Sequence, residues 1–250
     1  GESGLLAWNA AGKLESLAQS DKSDAPLVLN VQQYQLISDT LNSPVSLLSL
    51  LADSSIEIKD SVENIQANIS EIAALANSSK LTFLRVEDAN TLMASAEEAV
   101  SFQGGVQLIG GSNDILQFEV VDTAVSIHDH LSALSLLCAS SLISSIKITQ
   151  DPNGGDEVIN VNASEADINQ GVLSLLSPLS LVVTDDSDAV SLALFSLEGL
   201  SKPSLGGNDL QPRVIKEIIL NNPEQPITLS ASVLASVGDA LALVNGPALL

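Results

Sequence analysis

Two stretches, "DSVENIQANISEIAALANSSKL" at residues 60–81 and "DTAVSIHDHLSALSLLCASSLI" at residues 122–143, place apolar side chains at matching positions. In each stretch these side chains recur at intervals of three or four residues, the spacing of one face of an amphipathic helix. Each stretch therefore predicts a helix, and the match predicts that one structural unit occurs twice. The matched residues are Val62, Ile65, Ile69, Ile72 and Leu75 in the first stretch and Ala124, Ile127, Leu131, Leu134 and Leu137 in the second.

An aspartate and a hydroxyl residue stand at the start of each predicted helix, as Asp60–Ser61 and Asp122–Thr123. Both residue types cap helix N-termini, and Glu63 is predicted to complete a capping box with Asp60. Alternating apolar residues flank the helices, as in "SIEIKD" and "KLTFLRVED" around the first one. This alternation predicts a strand on either side of each helix.

A second recurrent element is seen in "APLVLNV", "EVINVNA" and "QPITLSA", with a weaker copy near "TLMASAEE". Each copy predicts a strand that runs into a short helix. Matched positions in successive copies lie about 62–69 residues apart, which predicts one tandem array over residues 1–250. Because the array begins and stops within a unit, we expect a segment of a longer array. The predicted units are 27–91, a degenerate unit 92–157 and 158–225, with partial units at 1–26 and 226–250.

The alternation of strands and helices favours parallel strands joined by helical crossovers. A single strand–helix unit cannot bury its apolar face alone, so neighbouring units must cover one another. The sequence thus predicts an α/β solenoid, with parallel strands in a continuous sheet and helices on another face. The alternative is a compact α/β domain with an open sheet.

The composition restricts the partners of this chain. Nine Lys and Arg residues stand against 31 Asp and Glu, which gives a net charge of −22. Such a surface repels nucleic acid and anionic lipid. No apolar run reaches the roughly 18 residues that a membrane span requires. We therefore expect neither a nucleic-acid partner nor membrane insertion. The N-terminal "GESGLLAWNAAGK" also lacks the basic segment of a secretory signal.

The stretch that begins at Asp122, continued by "VINVNASEADINQGVLSLLSPLSLVVTDD" from Val158, resembles a repeat of very large bacterial secreted proteins. Such repeats typically combine an Asp-Thr-Ala opening, an Asn- and Leu-rich helix, a Ser/Thr strand and an Ala-rich helix, and they often occur in type I-secreted, RTX-like adhesins. Residues 88–114 depart from this pattern, and the glycine–aspartate nonapeptides of RTX calcium coils are absent. The resemblance implies an extracellular, structural or adhesive role, and it supplies no catalytic residues.

Few residues of the chain offer chemistry. His128 and His130 flank Asp129, but positions two apart do not share a helix face, so a solvated face is predicted instead of a metal site. Cys138 matches Ala76 and is predicted to be a small, buried or half-buried residue without a basic neighbourhood. No catalytic triad spacing or phosphate-binding loop occurs, so we expect no enzyme.

Aspartates follow the predicted strands, and two interpretations stay open for them. Helix capping is favoured for Asp60 and Asp122. Calcium binding is the alternative where acidic residues cluster, because a hard cation needs several oxygens at one point. The calcium candidates are Asp151, Asp156, Asp185, Asp186 and Asp188.

The leading hypothesis is a non-enzymatic structural or adhesive repeat segment of a large secreted or cell-surface bacterial protein. It predicts self-association, or continuation of the same array, and assembly into a filament, sheath or surface layer. The alternative is a calcium-dependent binding or folding module of a secreted protein, for which calcium would be the cofactor.

The helix register is testable by mutation. Ile69→Ala and Leu131→Ala should each lower the free energy of unfolding by about 2–5 kcal/mol, because both residues lie mid-face on the apolar side. Gln66→Ala and His128→Ala, on the polar side, serve as matched controls and should change it little. Urea denaturation measures all four, and a comparable loss at His128 would contradict the face assignment.

Overall fold

The computed structural model describes residues 26–38, 55–111, 114–150, 157–202, 204–206, 209–211 and 213–245, so Asp151 and Asp156 lie outside it. These residues form a mixed α/β structure with parallel sheets, as predicted. They divide into two compact units. The first contains the described residues up to 92 together with 101–117, and the second contains 93–100 and those from 118 onward. The predicted boundaries of the sequence units stay predictions.

The strands and helices alternate along most of the chain. The described strands are β1 (Leu27–Leu29), β2 (Ile56–Asp60), β3 (Leu81–Val86), β4 (Thr91–Ala94), β5 (Gln107–Ile109), β6 (Gln117–Asp122), β7 (Ile143–Ile148), β8 (Ile159–Val161), β9 (Leu181–Asp185), β10 (Ser204–Gly206), β11 (Asp209–Gln211), β12 (Ile215–Leu220) and β13 (Val244–Asn245). The described helices are α1 (Val31–Ser38), α2 (Val62–Gln66), α3 (Ile69–Asn77), α4 (Ala96–Ser101), α5 (Ala124–Asp129), α6 (Leu131–Ala139), α7 (Ala163–Ile168), α8 (Gln170–Leu173), α9 (Ser187–Ser201), α10 (Ala231–Leu234) and α11 (Gly238–Leu241).

In the first unit, β1, β2, β3 and β5 form one parallel sheet in that order. Its core consists of aliphatic side chains that alternate along the strands, such as Ile56, Ile58 and Leu84, which are all fully buried. The helices between the strands bury their matched apolar face. Ile69 is 7% exposed, which confirms its predicted place on that face.

In the second unit, one sheet has the order β4-β6-β7 and another the order β13-β12-β9-β8, while β10 and β11 form an antiparallel hairpin. The described strands thus lie in separate sheets instead of the expected continuous one. Residues 87–90 form no strand, and the next sheet begins after them with β4. Gly111 donates its N–H to the Ala89 carbonyl at 2.9 Å. A Cβ on Gly111 would lie 2.7 Å from the Glu87 carbonyl oxygen, so only glycine allows this contact.

Each long helix predicted from the sequence is divided in two by a polar residue. Asn68 Nδ2 donates to the Asn64 carbonyl at 2.9 Å, and Asn169 Nδ2 donates to the Glu165 carbonyl at the same distance. His130 takes the same place between α5 and α6, with its Nδ1 2.8 Å from the Ser126 carbonyl oxygen. The helices therefore bend, but Leu131 stays buried at 4% exposure on the predicted face.

The N-caps differ by one residue from the prediction. Ser61 caps α2 and Thr123 caps α5, each accepting the backbone N–H of the third residue after it. The expected box of Asp60 with Glu63 is wrong, because the cap at Ser61 places Asn64 at the third helical position. A complete capping box does occur where Asn162 and Glu165 start α7.

The helix α6 ends in a Schellman motif built on a serine. Ser141 donates to the Cys138 carbonyl at 2.8 Å, and Leu142 donates to the Leu137 carbonyl at 3.0 Å. Ser141 has φ 58°, the left-handed conformation that glycine adopts without steric cost. Ser79 has the same φ at the matching position after α3.

Ser141→Gly should therefore raise the free energy of unfolding by about 1 kcal/mol, since it removes the steric cost of the left-handed conformation. Ser140→Gly is the matched control, because Ser140 has φ −89° and gains nothing from glycine. Thermal melting of both variants measures the difference. Destabilisation by both substitutions would contradict the strain at Ser141.

Candidate functional site

Among the residues that the structure describes, five polar side chains at or just after strand ends form a regular pattern. Each accepts a hydrogen bond from the first backbone N–H of a helix 22–35 residues earlier in the chain. We call these residues the strand-end clamps. The bonds join Val31 to Asp60 (3.0 Å), Val62 to Asp88 (2.7 Å), Ala96 to Asp122 (2.9 Å), Ala163 to Asp185 (3.0 Å) and Ser187 to Asn222 (2.8 Å).

The position of each clamp follows from parallel pairing. β1 leads into α1, and β2 lies beside β1 with the same direction, so the end of β2 reaches the start of α1. Asp60 is the last residue of β2. β8 and β9 place Asp185 at the start of α7 in the same way. A clamp therefore joins the helix of one strand–helix pair to the strand that begins the next pair; we call each such pair a coil.

Three clamps also bond the residue that follows them. Asp60 Oδ1, Asp122 Oδ1 and Asp185 Oδ1 accept the N–H of Ser61, Thr123 and Asp186 at 2.7–2.8 Å. Both carboxylate oxygens thus receive backbone donors.

These bonds affect the ionisation of Asp60. Burial raises the pKa of the Asp60 carboxyl, but hydrogen bonds from the Asn64 side chain and from the Ser61 and Val31 N–H groups hold this pKa below its ordinary value. The ionised form is therefore the one that the fold favours.

A buried glutamate of α9 accepts a backbone N–H from the first turn of α11. Glu198 is 6% exposed, and its Oε2 accepts the Ala240 N–H at 2.8 Å. Its Oε1 lies 2.9 Å from the ammonium of Lys202 one helical turn later. The pairing with Glu198 raises the pKa of Lys202.

The calcium candidates are placed as follows. Asp185 is a clamp, Asp186 is the N-cap of α9 and accepts the Ala189 N–H at 2.8 Å, and Asp188 is exposed in the first turn. Within the ranges that the structure describes, no group of three or more His, Cys, Asp or Glu side chains is arranged to hold a metal ion. Calcium binding by Asp151, Asp156, Asp185, Asp186 and Asp188 stays a prediction.

The histidines and the cysteine have separate surroundings. His128 Nε2 lies 3.9 Å from Glu165 Oε2, and His128 Nδ1 lies 3.7 Å from Asp129 Oδ1. His130 instead bonds the helix backbone at the bend between α5 and α6. Cys138 is half-buried, as predicted, and burial raises the pKa of its thiol.

Ion pairs between neighbouring strands recur at matching positions, and the sequence analysis missed them. Glu57 Oε1 accepts from Arg85 Nε at 3.0 Å across β2 and β3. Glu119 and Lys147 pair in the same way across β6 and β7. Both pairs follow the interval of 62 residues, so the repeat itself carried the signal.

An open cleft of about 560 Å³ lies in the second unit. Its lining combines apolar side chains, among them Pro178 and Leu179, with the oppositely charged Glu157 and Lys216. Leu179 has φ 57° and is 46% exposed at the rim. The lining offers no nucleophile paired with a base.

Comparisons with protein-family models, with curated proteins and with solved structures find no match for this chain. In the part of the chain that the structure describes, no helix combines the length and hydropathy of a membrane span.

The clamps can be tested by substitution. Asp122→Ala and Asp185→Ala should each lower the free energy of unfolding by about 1–2 kcal/mol, because each leaves two helix-start N–H groups without an acceptor. Asp188→Ala, at an exposed position of α9, is the matched control and should stay within about 0.5 kcal/mol. Denaturant titration at neutral pH compares the three variants.

Denaturant titration at lower pH tests how much the ionised Asp60 carboxylate contributes to stability. The pKa of Asp60 is lower in the folded chain than in the unfolded one, so its contribution is present above the ordinary value and is lost as pH falls through the folded value. Asp60→Asn should therefore lose less stability than the unmodified chain between neutral and acid pH. An identical loss in both chains would contradict this assignment.

Proposed function

We propose that this chain is a structural repeat segment that forms an α/β solenoid and acts without catalysis, as part of a large secreted or cell-surface bacterial protein. In this role the array holds distance or presents an adhesive face, and it associates with further units of the same kind. The resemblance of its repeats to those of RTX-like adhesins supports the extracellular location. The net charge of −22 agrees with a surface that stays soluble among extracellular cations.

One observation carries the proposal: strands that belong to neighbouring predicted sequence repeats pair within the same sheet. β5 belongs to the predicted unit 92–157, yet it completes the sheet of β1, β2 and β3. Leu176, in the unit after β7, pairs with Ile146 in a parallel bridge. β13 in turn completes the sheet of β12. The predicted units 92–157, 158–225 and 226–250 thus each pair with a strand of the unit before them.

Sharing of this kind favours a mechanical role. A unit that borrows its last strand from the next unit is covered only when the array continues. The clamps and the cross-strand ion pairs recur at matching positions because they fasten one coil to the next. The most regular polar groups of the molecule are thus used for stacking.

The proposal predicts an extended particle in solution. A compact domain of 250 residues has a radius of gyration of about 18 Å. Small-angle X-ray scattering of the chain should give a larger radius of gyration. A form of the chain in which residues 158–225 are duplicated should have a larger radius of gyration again. A value near 18 Å, with a duplicated form that scales as a compact sphere, would contradict the solenoid.

A further inference from the structure

Residues 226–230, "PITLS", carry the sequence of a strand that the structure does not form. They match "PLVLN" at residues 26–30, where Leu27 and Leu29 correspond to Ile227 and Leu229. A helix follows in both places, α1 after the earlier segment and α10 after the later one. The two segments thus have one pattern and different secondary structure.

The earlier segment is a strand because it has a partner. Leu27 and Leu29 pair with Ile56 and Ile58 of β2, and the Leu27 N–H donates to the Ser55 carbonyl at 2.8 Å. The clamp Asp60 then closes on the start of α1. β8 and β9 repeat this pairing, with Asp185 as the clamp.

The later segment is already anchored on one side. Ile227 is 4% exposed, and the Thr228 carbonyl lies 3.5 Å from the Ser191 hydroxyl. Ser230 Oγ accepts the Val233 N–H at 3.4 Å and so caps α10. The side chains of Thr228 and Ser230 are exposed.

We propose that residues 226–230 are a docking edge for a strand of the β2 type, with alternating apolar residues and a terminal aspartate. The occupant is an unpaired segment of a further unit of this repeat class, which adds in parallel as β2 does to β1. A folded second copy cannot supply it from β2 or β9, because both are hydrogen-bonded on their two sides. This inference rests on the proposed function and names the surface through which the array extends.

The geometry of β2 defines the probe. The peptide "DSSIEIKDSV", residues 53–62, contains the pairing residues and the clamp. Ile56 donates its N–H to the carbonyl of Lys80, the residue before β3, so alternation along a parallel strand directs the Glu57 N–H towards β1. A peptide with Glu57→Pro therefore lacks the N–H needed for docking, and Asp60→Ala removes only the clamp.

The experiment titrates the isotopically labelled full chain with these peptides and follows backbone amide shifts by NMR. The unmodified peptide should cause saturable shifts at residues 227–231 and along α10. The Asp60→Ala peptide should bind about fivefold more weakly, and the Glu57→Pro peptide should cause no shifts there.

Three results would overturn the proposal. They are an absence of shifts at residues 227–231 at millimolar peptide, an equal response to the Glu57→Pro peptide, and self-association of the chain alone that Leu229→Pro abolishes, since Leu229 matches Leu29, whose N–H faces β2. The last result would assign the edge to a second copy. Scattering from the chain without peptide tests the solenoid separately, so either idea can fail alone.

Discussion

The strand-end clamp is the interaction on which the described architecture depends. The first N–H groups of a helix have no acceptor within the helix, and they carry the positive end of its dipole. Asp60, Asp122 and Asp185 place a carboxylate at this point from the neighbouring strand, and the same carboxylate also receives the N–H that follows it. One side chain thus fixes the start of two helices and the spacing between two coils.

Burial depends on that spacing. The core is made almost entirely of aliphatic residues, because aromatic residues are only 2% of the chain. Leu, Ile and Val side chains have no polar atom that could fix their orientation, and close packing alone tolerates alternative registers. The clamps supply the missing directionality, since a slip of one residue between neighbouring strands would remove the hydrogen bond from each clamp to the earlier helix. Ile58, two residues before the clamp Asp60, and Ile127, five residues after the clamp Asp122, are fully buried.

Pairing between strands distant in sequence is a second constraint. Because β5 pairs with β3 and Leu176 pairs with Ile146 of β7, the stability of each sheet depends on residues that the sequence assigns to the next predicted unit. The ion pairs Arg85–Glu57 and Lys147–Glu119 join neighbouring strands within a sheet, and they use two of the few basic residues of this chain. The remaining acidic residues give the chain its net charge of −22, which opposes non-specific association.

The sequence by itself determined the local structure and the buried faces. The intervals around Ile69 and Leu131 identified residues that are buried, and the strand–helix alternation identified parallel pairing, because both depend on side chains close together in the chain. The candidate site was predictable only in part. Asp60 and Asp122 were predicted to be caps, while Asp185 was a calcium candidate, and the helices that these residues cap lie 22–29 residues earlier in the chain. Only the tertiary structure decided which strands share a sheet, because backbone hydrogen bonds do not depend on side-chain identity. It also decided that "PLVLN" is a strand and "PITLS" is not, since a strand exists only beside a partner.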